Sequence, residues 1–327
     1  MPKILRWGLL STARINRAIL TAMPLSPRNV VTAVASRTPA QAAAFAAQWN
    51  IPRTFGSYEA LLADPDVDII YNPLPNALHT EWTLNAVRAG KHVLCEKPLA
   101  LTVADVQAIA AAAAQAGVVV AEAFMYRHHP QTLRVKELLE QGAVGEVRLI
   151  RGAFSFLLTR RDDVRLQPGL GGGSIWDVGC YPISYTRFLV GAEPIEVFGW
   201  QVSGPSGVDE LFTGQMRFAN DILAQFDSAF RLPFRAFMEI TGSERTLTVP
   251  TPFRPQTDVE VLLRDNNDQV EVIKIAGESL YLGEIEDMAD AVLLGKPPRV
   301  SLAESQGNVA AISALLASAR TNRPLTL

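Results

Sequence analysis

Residues 90–98 read Gly-Lys-His-Val-Leu-Cys-Glu-Lys-Pro, a short apolar strand pattern that ends in two charged residues and a proline. Because proline cannot donate to a sheet ladder, the pattern predicts that the strand ends at Glu96. Open α/β sheets bind their ligands at the carboxyl ends of inner strands. Lys97 is therefore the first candidate for chemistry. The alternative is a solvated lysine that pairs with Glu96.

Outward from this stretch, short apolar strand patterns alternate with helix-period segments from residue 4 to residue 124. This alternation predicts a parallel sheet covered by helices on both faces. Later, residues 175–190 form a helix pattern, and residues 195–275 give one strand pattern after another, joined by short polar turns. Such neighbours predict an antiparallel sheet. We therefore predict an α/β protein with one domain over residues 1–123 and an α+β domain over residues 124–327.

Composition narrows the class of protein. The chain has 327 residues, 48% of them hydrophobic, and a formal net charge of −3, which gives no electrostatic basis for binding nucleic acid or an anionic membrane. No signal peptide or membrane span is recognisable. The two cysteines, Cys95 and Cys180, lie far apart in apolar surroundings, as expected of a reduced cytoplasmic protein. The four histidines join no cysteine or carboxylate cluster, so we expect no catalytic metal.

The start of the chain has the outline of a nucleotide-binding turn. The first strand pattern passes through Gly8 and runs into Ser11-Thr12-Ala13-Arg14-Ile15 at the beginning of a helix pattern. The full G-x-G-x-x-G string is absent, but Ser11 and Ala13 are small enough for the backbone to approach a pyrophosphate, and Ser11 and Thr12 can donate hydrogen bonds to it. The alternative is an ordinary strand-turn-helix.

The end of the second strand pattern bears on cofactor choice. An NAD site usually places Asp or Glu here to accept from the ribose hydroxyls. This chain has Ser36 and Arg37 instead. A serine can donate to a phosphate and an arginine can pair with it, so the pair favours NADP over NAD. The alternative is a solvated surface arginine.

The third strand pattern ends in a proline-flanked turn, Pro73-Leu74-Pro75, followed by Asn76 as the expected N-cap of the next helix. His79 lies in the first turn of that helix. One interpretation is a loop over the nicotinamide half of a cofactor. The other is a capped helix with an incidental histidine.

A second candidate cluster lies in residues 171–181, Gly-Gly-Gly-Ser-Ile-Trp-Asp-Val-Gly-Cys-Tyr. Asp177 and Tyr181 are four residues apart on the predicted helix and so share one face. Gly179 between them allows close approach of another group. A carboxylate and a phenol that project together suggest a substrate-binding pair, and the alternative is a capping aspartate with a core tyrosine.

Together, KHVLCEKP, the Ser-Arg end of the second strand and GGGSIWDVGCYP resemble the glucose–fructose oxidoreductase / inositol dehydrogenase / MocA family over essentially the whole chain. The D-V-G-C-Y form looks most like the branch with trans-1,2-dihydrodiol dehydrogenases and NADP-dependent D-xylose dehydrogenases. The resemblance implies a Rossmann domain followed by a domain with a large, mostly antiparallel open sheet.

The resemblance also implies roles for particular residues. Lys97 would contact both cofactor and substrate, Asp177 would hold substrate hydroxyls, and Tyr181 would be the acid/base. Many relatives carry histidine where this chain has Tyr181. Arg127 would lie near the cofactor, or would pair with an acid at the domain joint, and Arg165 is a further substrate-side candidate. The expected cofactor-binding residues are Gly8, Ser11, Thr12, Ala13, Arg14, Ile15, Ser36, Arg37, Pro73, Leu74, Asn76, His79, Glu96, Lys97, Arg127 and Trp176.

These observations lead to one functional hypothesis and two alternatives. The hypothesis is reversible hydride transfer between NADP and a hydroxyl-bearing carbon of a sugar or polyol. The alternatives are a sugar-converting enzyme that retains its cofactor and a non-catalytic nucleotide-binding regulator. The uncovered face of the antiparallel sheet predicts a homodimer or homotetramer. The apolar residues expected on that face are Phe226, Phe230, Phe234 and Leu247.

Overall fold

The structure is a computed structural model that describes residues 3–327. The chain divides into two compact units: residues up to His128 together with Ser279–Gln306, and His129–Glu278 together with Gly307–Leu327. The predicted boundary at residues 123/124 is linear, whereas these units are not. Residues 279–306 return to the first unit because the apolar side chains of Ile285 and Met288 pack into the same core as Leu5 and Leu9.

The first unit contains a six-stranded sheet in the order β3-β2-β1-β4-β5-β6, and every pairing in it is parallel. This is the strand order of a doubly wound dinucleotide-binding fold. The strands are Leu5–Leu10 (β1), Asn29–Ala35 (β2), Arg53–Phe55 (β3), Ile69–Asn72 (β4), His92–Glu96 (β5) and Val120–Ala123 (β6). The predicted parallel sheet is confirmed. Only the three-residue β3 has no counterpart among the strand patterns, since it is too short to show alternation.

Helices cover both faces of this sheet, as the sequence predicts. The α-helices that begin in the first unit are Asn16–Ala22 (α1), Pro39–Trp49 (α2), Tyr58–Leu62 (α3), His79–Arg88 (α4) and Val103–Ala116 (α5), and those after residue 280 are Leu282–Leu294 (α8) and Leu302–Thr321 (α9). Helix α9 belongs to the first unit as far as Gln306. Thr38 and Thr102 cap α2 and α5 through their hydroxyls, which explains why these helices begin where they do.

The second unit contains a nine-stranded sheet in the order β14-β13-β12-β11-β7-β10-β9-β8-β15. Only β10 and β7 pair in parallel, so the mostly antiparallel sheet expected from the resemblance is confirmed. The strands are Val147–Leu157 (β7), Glu196–Ser203 (β8), Asp209–Arg217 (β9), Leu223–Ala229 (β10), Arg231–Gly242 (β11), Thr246–Val249 (β12), Asp258–Arg264 (β13), Val270–Ala276 (β14) and Leu325–Thr326 (β15). Its other helices are Pro130–Glu140 (α6) and Cys180–Val190 (α7).

Two expectations about the second unit need correction. The predicted helix over residues 175–190 is α-helical only from Cys180, because Ile175–Gly179 forms a π-helical turn. Of the four apolar residues expected on the open sheet face, only Phe234 is exposed, and its ring packs against Phe154, which also contacts Tyr181 and Phe253. The other three, Phe226, Phe230 and Leu247, are buried in the core. For Phe226 and Leu247 the reason is that the alternation of β10 and β12 points them to the covered face.

Among the described residues, no helix combines the length and the apolarity needed to cross a membrane. Within the same residues, no group of three or more His, Cys, Asp or Glu side chains is arranged to hold a metal ion.

Candidate active site

The loop after β1 has the shape that a glycine-rich turn would give. Ser11 adopts a left-handed backbone with φ of 69°, and its hydroxyl accepts a hydrogen bond from the Ala13 amide at 3.2 Å. The buried Asn16 donates from Nδ2 to the Ser11 carbonyl at 2.9 Å. This short turn leaves Ser11, Thr12, Ala13 and Ile15 partly exposed and Arg14 exposed. The backbone is thus accessible to a ligand despite the missing glycine.

Gly8 lies in β1 itself, where its lack of a side chain matters for core packing. A Cβ at this position would lie 3.0 Å from Cγ1 of Val67 and 3.1 Å from Cδ1 of Leu61. Gly8 therefore allows β1 to pack tightly against the segment that contains α3. It supports the loop from within the core, and its role in cofactor binding stays a prediction.

At the end of β2, the two residues of the Ser-Arg pair differ in accessibility. Ser36 is buried, and its hydroxyl donates to Oε1 of Gln41 at 3.0 Å. Arg37 is exposed, and its charge acts on the nearby Tyr58, where burial raises the phenol pKa and Arg37 lowers it. Arg37 is therefore presented to an incoming anion, whereas Ser36 would have to exchange its present partner.

His79 acts as a buried link between two loops. It is fully buried, with Nδ1 2.7 Å from the Pro98 carbonyl oxygen and Nε2 2.6 Å from the Leu74 carbonyl oxygen. Burial, and to a lesser extent the charge of Lys97, lowers the His79 pKa. The imidazole thus ties the turn after β4 to the residue that follows Lys97. This placement favours a structural role over the direct cofactor contact that the sequence suggested.

The other residues of the turn after β4 are positioned by Asn72. Its side chain accepts from the Leu74 amide at 3.3 Å and donates to the Thr83 hydroxyl at 3.2 Å. Pro73 and Leu74 are buried. Asn76 is the first residue of a short 3₁₀ turn that leads into α4, so it is not the N-cap that the sequence predicts; the N-cap of α4 is Leu78. The loop is therefore held in one shape beside the end of β5.

Lys97 follows β5 directly and is half-buried. The preceding residue is Glu96, whose carboxylate accepts a hydrogen bond from the Tyr71 hydroxyl. Burial, and after it the charge of Glu96, raises the pKa of the completely buried Glu284 carboxyl well above its usual range. Tyr71, Glu96 and Glu284 thus form a cluster of two acids and a phenol at the end of β5, the strand that Lys97 follows. Sequence reasoning missed Tyr71 and Glu284, and the only signal for Glu284 was an acid at an apolar position of a helix pattern.

Arg127 is almost fully buried and forms an ion pair with Glu304, with Nη1 and Oε2 3.3 Å apart. Of the two alternatives offered by the sequence, pairing with an acid is the one the structure describes. Its proximity to a cofactor stays a prediction.

In the second unit, Arg165 and Asp177 are brought together. Arg165 donates from Nε to Oδ2 of Asp177 at 2.7 Å and from Nη1 to Oδ1 of Asp163 at 3.2 Å. The charge of Asp177 is the main reason that the pKa of Arg165 is raised further. Asp163 was not singled out from the sequence, since its partner lies two residues away in a loop without periodicity.

Tyr181 lies one turn beyond Asp177, at the start of α7. The residue is only 6% exposed. Its ring packs edge-on against Phe154, with 5.2 Å between centroids, and at a tilt of 57° against Phe253, with 5.5 Å between centroids. Trp176 is also buried, at the π-helical turn. The phenol is therefore held in a fixed orientation by aromatic contacts, which is what a group that exchanges a proton with substrate requires.

Comparison with known proteins agrees with this fold. A model described as an oxidoreductase family with an NAD-binding Rossmann fold matches residues 5–124, and one for the GFO/IDH/MocA C-terminal domain matches residues 132–248. The chain belongs to the Gfo/Idh/MocA oxidoreductase family. As a member of this family it is an enzyme of oxidation and reduction, so the family resemblance read from its motifs is confirmed.

Individual relatives of this Gfo/Idh/MocA protein act on sugars and diols. It is 36% identical to a D-xylose 1-dehydrogenase (NADP(+)) of Haloferax volcanii, covering 98% of this chain and 99% of the relative. It is 36% identical to a trans-1,2-dihydrobenzene-1,2-diol dehydrogenase of Danio rerio, covering 75% and 74%. It is similar in structure to a 3-ketoreductase of Actinomadura kijaniata in complex with NADP and TDP-benzene, with a TM-score of 0.91, 30% identity and coverage of 97% and 98%.

Proposed function

We propose that this protein is an NADP-dependent oxidoreductase that acts on a hydroxyl-bearing carbon of an uncharged sugar or related polyol. The observation that carries the proposal is the placement of Asp177, already hydrogen-bonded to Arg165, one helical turn before the ordered phenol of Tyr181. A carboxylate is a natural acceptor for substrate hydroxyls, and a phenol can exchange a proton with one of them.

Support for the cofactor comes from the first unit. Its strand order and the left-handed Ser11 turn fit a pyrophosphate at the end of β1. The exposed Arg37 at the end of β2, where NAD sites usually carry an acid, fits the 2′-phosphate of NADP. The relatives named above include an NADP-dependent one and one solved with NADP. We therefore infer that NADP is preferred to NAD.

When bound, NADP would supply the acceptor or donor of the hydride exchanged with the substrate carbon. Tyr181 removes the proton of the hydroxyl on that carbon as the alcohol is oxidised, and it returns the proton in the reverse direction. The ammonium of Lys97 would stabilise the negative charge on the substrate oxygen as the carbonyl develops. Asp177 accepts from the neighbouring substrate hydroxyl and fixes the orientation of the ring. Most of the rate enhancement from Asp177 is expected to come from this positioning.

The charges around Asp177 favour an uncharged substrate. Arg165 is the cation beside it, and both Asp177 and Asp163 pair with that guanidinium. Its charge is thus balanced by two carboxylates before any substrate binds. A phosphate or nucleotide group would meet excess negative charge here, whereas sugar hydroxyls can use both kinds of group. We infer an unphosphorylated substrate, as in the D-xylose and dihydrodiol relatives.

An absorbance screen of NADP reduction tests the proposal. The panel contains D-xylose and other free aldoses, polyols and a trans-dihydrodiol, together with the phosphorylated forms of the same sugars. We expect reduction with at least one uncharged compound and none with the phosphorylated forms. If NADPH binds but no compound changes the absorbance, the protein is a nucleotide-binding regulator instead. Nucleotide that copurifies and cycles without net reduction would identify the cofactor-retaining alternative.

We also propose that the protein is cytoplasmic and forms a homodimer or homotetramer through the open face of its nine-stranded sheet. Both cysteines are buried and neither forms a disulfide in the described residues, which suits a reducing compartment. The exposed Trp200 lies in register with Thr213, which in turn pairs with Asp227, so this face offers an aromatic side chain among polar ones that a second copy of this chain fits. Sedimentation of wild-type protein and a Trp200→Glu variant tests this, with an expected shift to monomer in the variant.

A further inference from the structure

One buried acid in the second unit binds the start of the segment that carries the candidate pair. Asp209, the first residue of β9, accepts through Oδ2 from the Ser174 hydroxyl at 2.6 Å and from the Ile175 amide at 2.8 Å. These donors lie at the beginning of the π-helical turn that contains Asp177. The aspartate therefore caps the segment from a distant strand, because no side chain of the segment's own start does so.

The residues around the start of this segment are closely packed, which limits how the segment can move. Gly173 has φ of 123°, and a Cβ on it would lie 2.2 Å from Oδ1 of Asp209. The Ser174 hydroxyl also lies 3.1 Å from the Ser228 hydroxyl on β10. A Cβ on Gly179, at the other end of the π-helical turn, would lie 3.0 Å from that same Ser228 oxygen. β9 thus binds the start of the turn, and Ser228 on β10 lies close to both of its ends.

We propose that Asp209 is a positioning residue that fixes the orientation of Asp177 and Tyr181 toward the substrate. It contacts neither side chain directly and acts through Ser174 and Ile175. This inference rests on the proposed function of Asp177 and Tyr181, which the experiment below tests separately. Because small displacements of reacting groups reduce rates strongly, loss of this contact is expected to lower turnover more than stability.

The protonation of Asp209 offers a specific signature. Burial raises its pKa to about 6, against the opposing effect of its hydrogen bonds. Its neighbours are the Ser174 and Ser228 hydroxyls and backbone amides, while the adjacent Glu210 pairs with Arg231 and Asp177 pairs with Arg165. Because the pKa of Asp209 is higher in the folded protein than in the unfolded chain, protonation of Asp209 stabilises the folded protein as the pH falls from about 6 toward the usual aspartate pKa. A loss of activity in this pH range would therefore not result from unfolding caused by the protonation of Asp209.

The test compares Asp209→Asn with Asp265→Asn. Asp265 also accepts from backbone amides, those of Asn267 and Gln269, but in the exposed turn between β13 and β14. For Asp209→Asn we expect kcat to fall at least about tenfold and KM for the sugar to rise, with the Kd of NADPH unchanged. Wild-type kcat should fall as the pH drops through the Asp209 pKa, and the kcat of Asp209→Asn should not show this decrease. Asp265→Asn should match wild type in every measurement.

Hydrogen exchange of peptides covering residues 174–181 gives a readout that needs no substrate. In Asp209→Asn we expect these amides to exchange at least about tenfold faster, with no change in the peptides of the first unit. If wild type reduces NADP with no sugar, the proposed function fails, and exchange alone decides whether Asp209 holds the segment. A variant with wild-type kcat and sugar KM, or with wild-type exchange in these peptides, overturns the positioning role.

Discussion

The two units present their candidate groups by different means. In the first unit, Ser11, Arg37 and Lys97 follow the carboxyl ends of parallel strands, so the topology of the sheet places them at one edge. In the second unit, Asp177 and Tyr181 lie on a helical segment whose start is held by a side chain from another strand. The comparison shows that backbone topology alone positions the candidate nucleotide-binding residues, whereas the position of the candidate substrate-binding residues depends on tertiary contacts.

The two units also differ in the surroundings of their candidate arginines. The first unit leaves Arg37 exposed to solvent, as a site for an anionic cofactor requires. In the second unit, Arg165 already pairs with Asp163 and Asp177. If this division is correct, variants in the first unit change cofactor parameters and variants in the second change substrate parameters. Three predictions test this division, beginning with the largest effect, and a fourth tests the buried acid Glu284.

Tyr181→Phe removes one hydroxyl and keeps the ring that packs against Phe154 and Phe253. We expect kcat to fall about 10²- to 10⁴-fold, because the proton acceptor is lost, while NADPH still binds with wild-type Kd. Steady-state kinetics and fluorescence titration measure the two quantities. Tyr185→Phe, in the same helix and also against Phe253, is the matched control and should keep kcat within about twofold. Unchanged turnover in Tyr181→Phe would remove this residue from the mechanism.

Asp177→Asn replaces the charged partner of Arg165 with a neutral one. We expect kcat/KM for the sugar to fall about 10- to 100-fold, since a hydrogen bond to a charged group is lost. KM for NADP should not change. Asp162→Asn, an exposed acid of the same loop that pairs only with Arg160 in the part of the chain described, serves as control. An equal effect on NADP and sugar would contradict the division between the units.

Arg37→Ala tests the other half of the comparison. We expect the ratio of specificity constants for NADP over NAD to fall roughly tenfold, because a charged partner of the 2′-phosphate is removed. KM for the sugar should stay as in wild type. Arg17→Ala removes an exposed arginine of α1 and should leave the ratio unchanged. A wild-type enzyme that already prefers NAD would show the cofactor assignment to be wrong.

Glu284→Gln addresses the buried acid whose pKa is raised by burial and by the charge of Glu96. Its folded-state pKa is raised, so above the usual glutamate value the folded protein holds a proton that the unfolded chain has released. Wild-type stability should therefore fall with rising pH in that range, by up to about 1.4 kcal/mol per pH unit from this group.

The glutamine cannot ionise, so the urea midpoint of this variant should depend less on pH than that of wild type. Exposed Glu137, which pairs with Arg134, provides the control: Glu137→Gln should keep the wild-type pH dependence. Parallel curves for wild type and Glu284→Gln would show that Glu284 is ionised in the folded protein.

Much of the fold could be predicted because periodicity and capping are local. β5 ends at Glu96 before the proline, as its pattern predicts, and the hydroxyls of Thr38 and Thr102 cap the starts of α2 and α5. The open sheet face was harder to predict. The alternation in β10 and β12 is clear, but which set of residues faces the core depends on the helices that cover one side, so Phe226 and Leu247 were placed on the wrong face.

By itself, the sequence determined the two kinds of sheet, the family and the residues that follow the strand ends, because these depend on local patterns and on the rule that parallel strands bring their carboxyl ends to one edge. Only the tertiary structure decided that His79 is an internal link, that Arg165 is shared by two carboxylates and that Asp209 caps a segment 34 residues away along the chain. The physical reason is that hydrogen bonds between distant residues leave no periodic signal. Their partners become known only when the chain is folded.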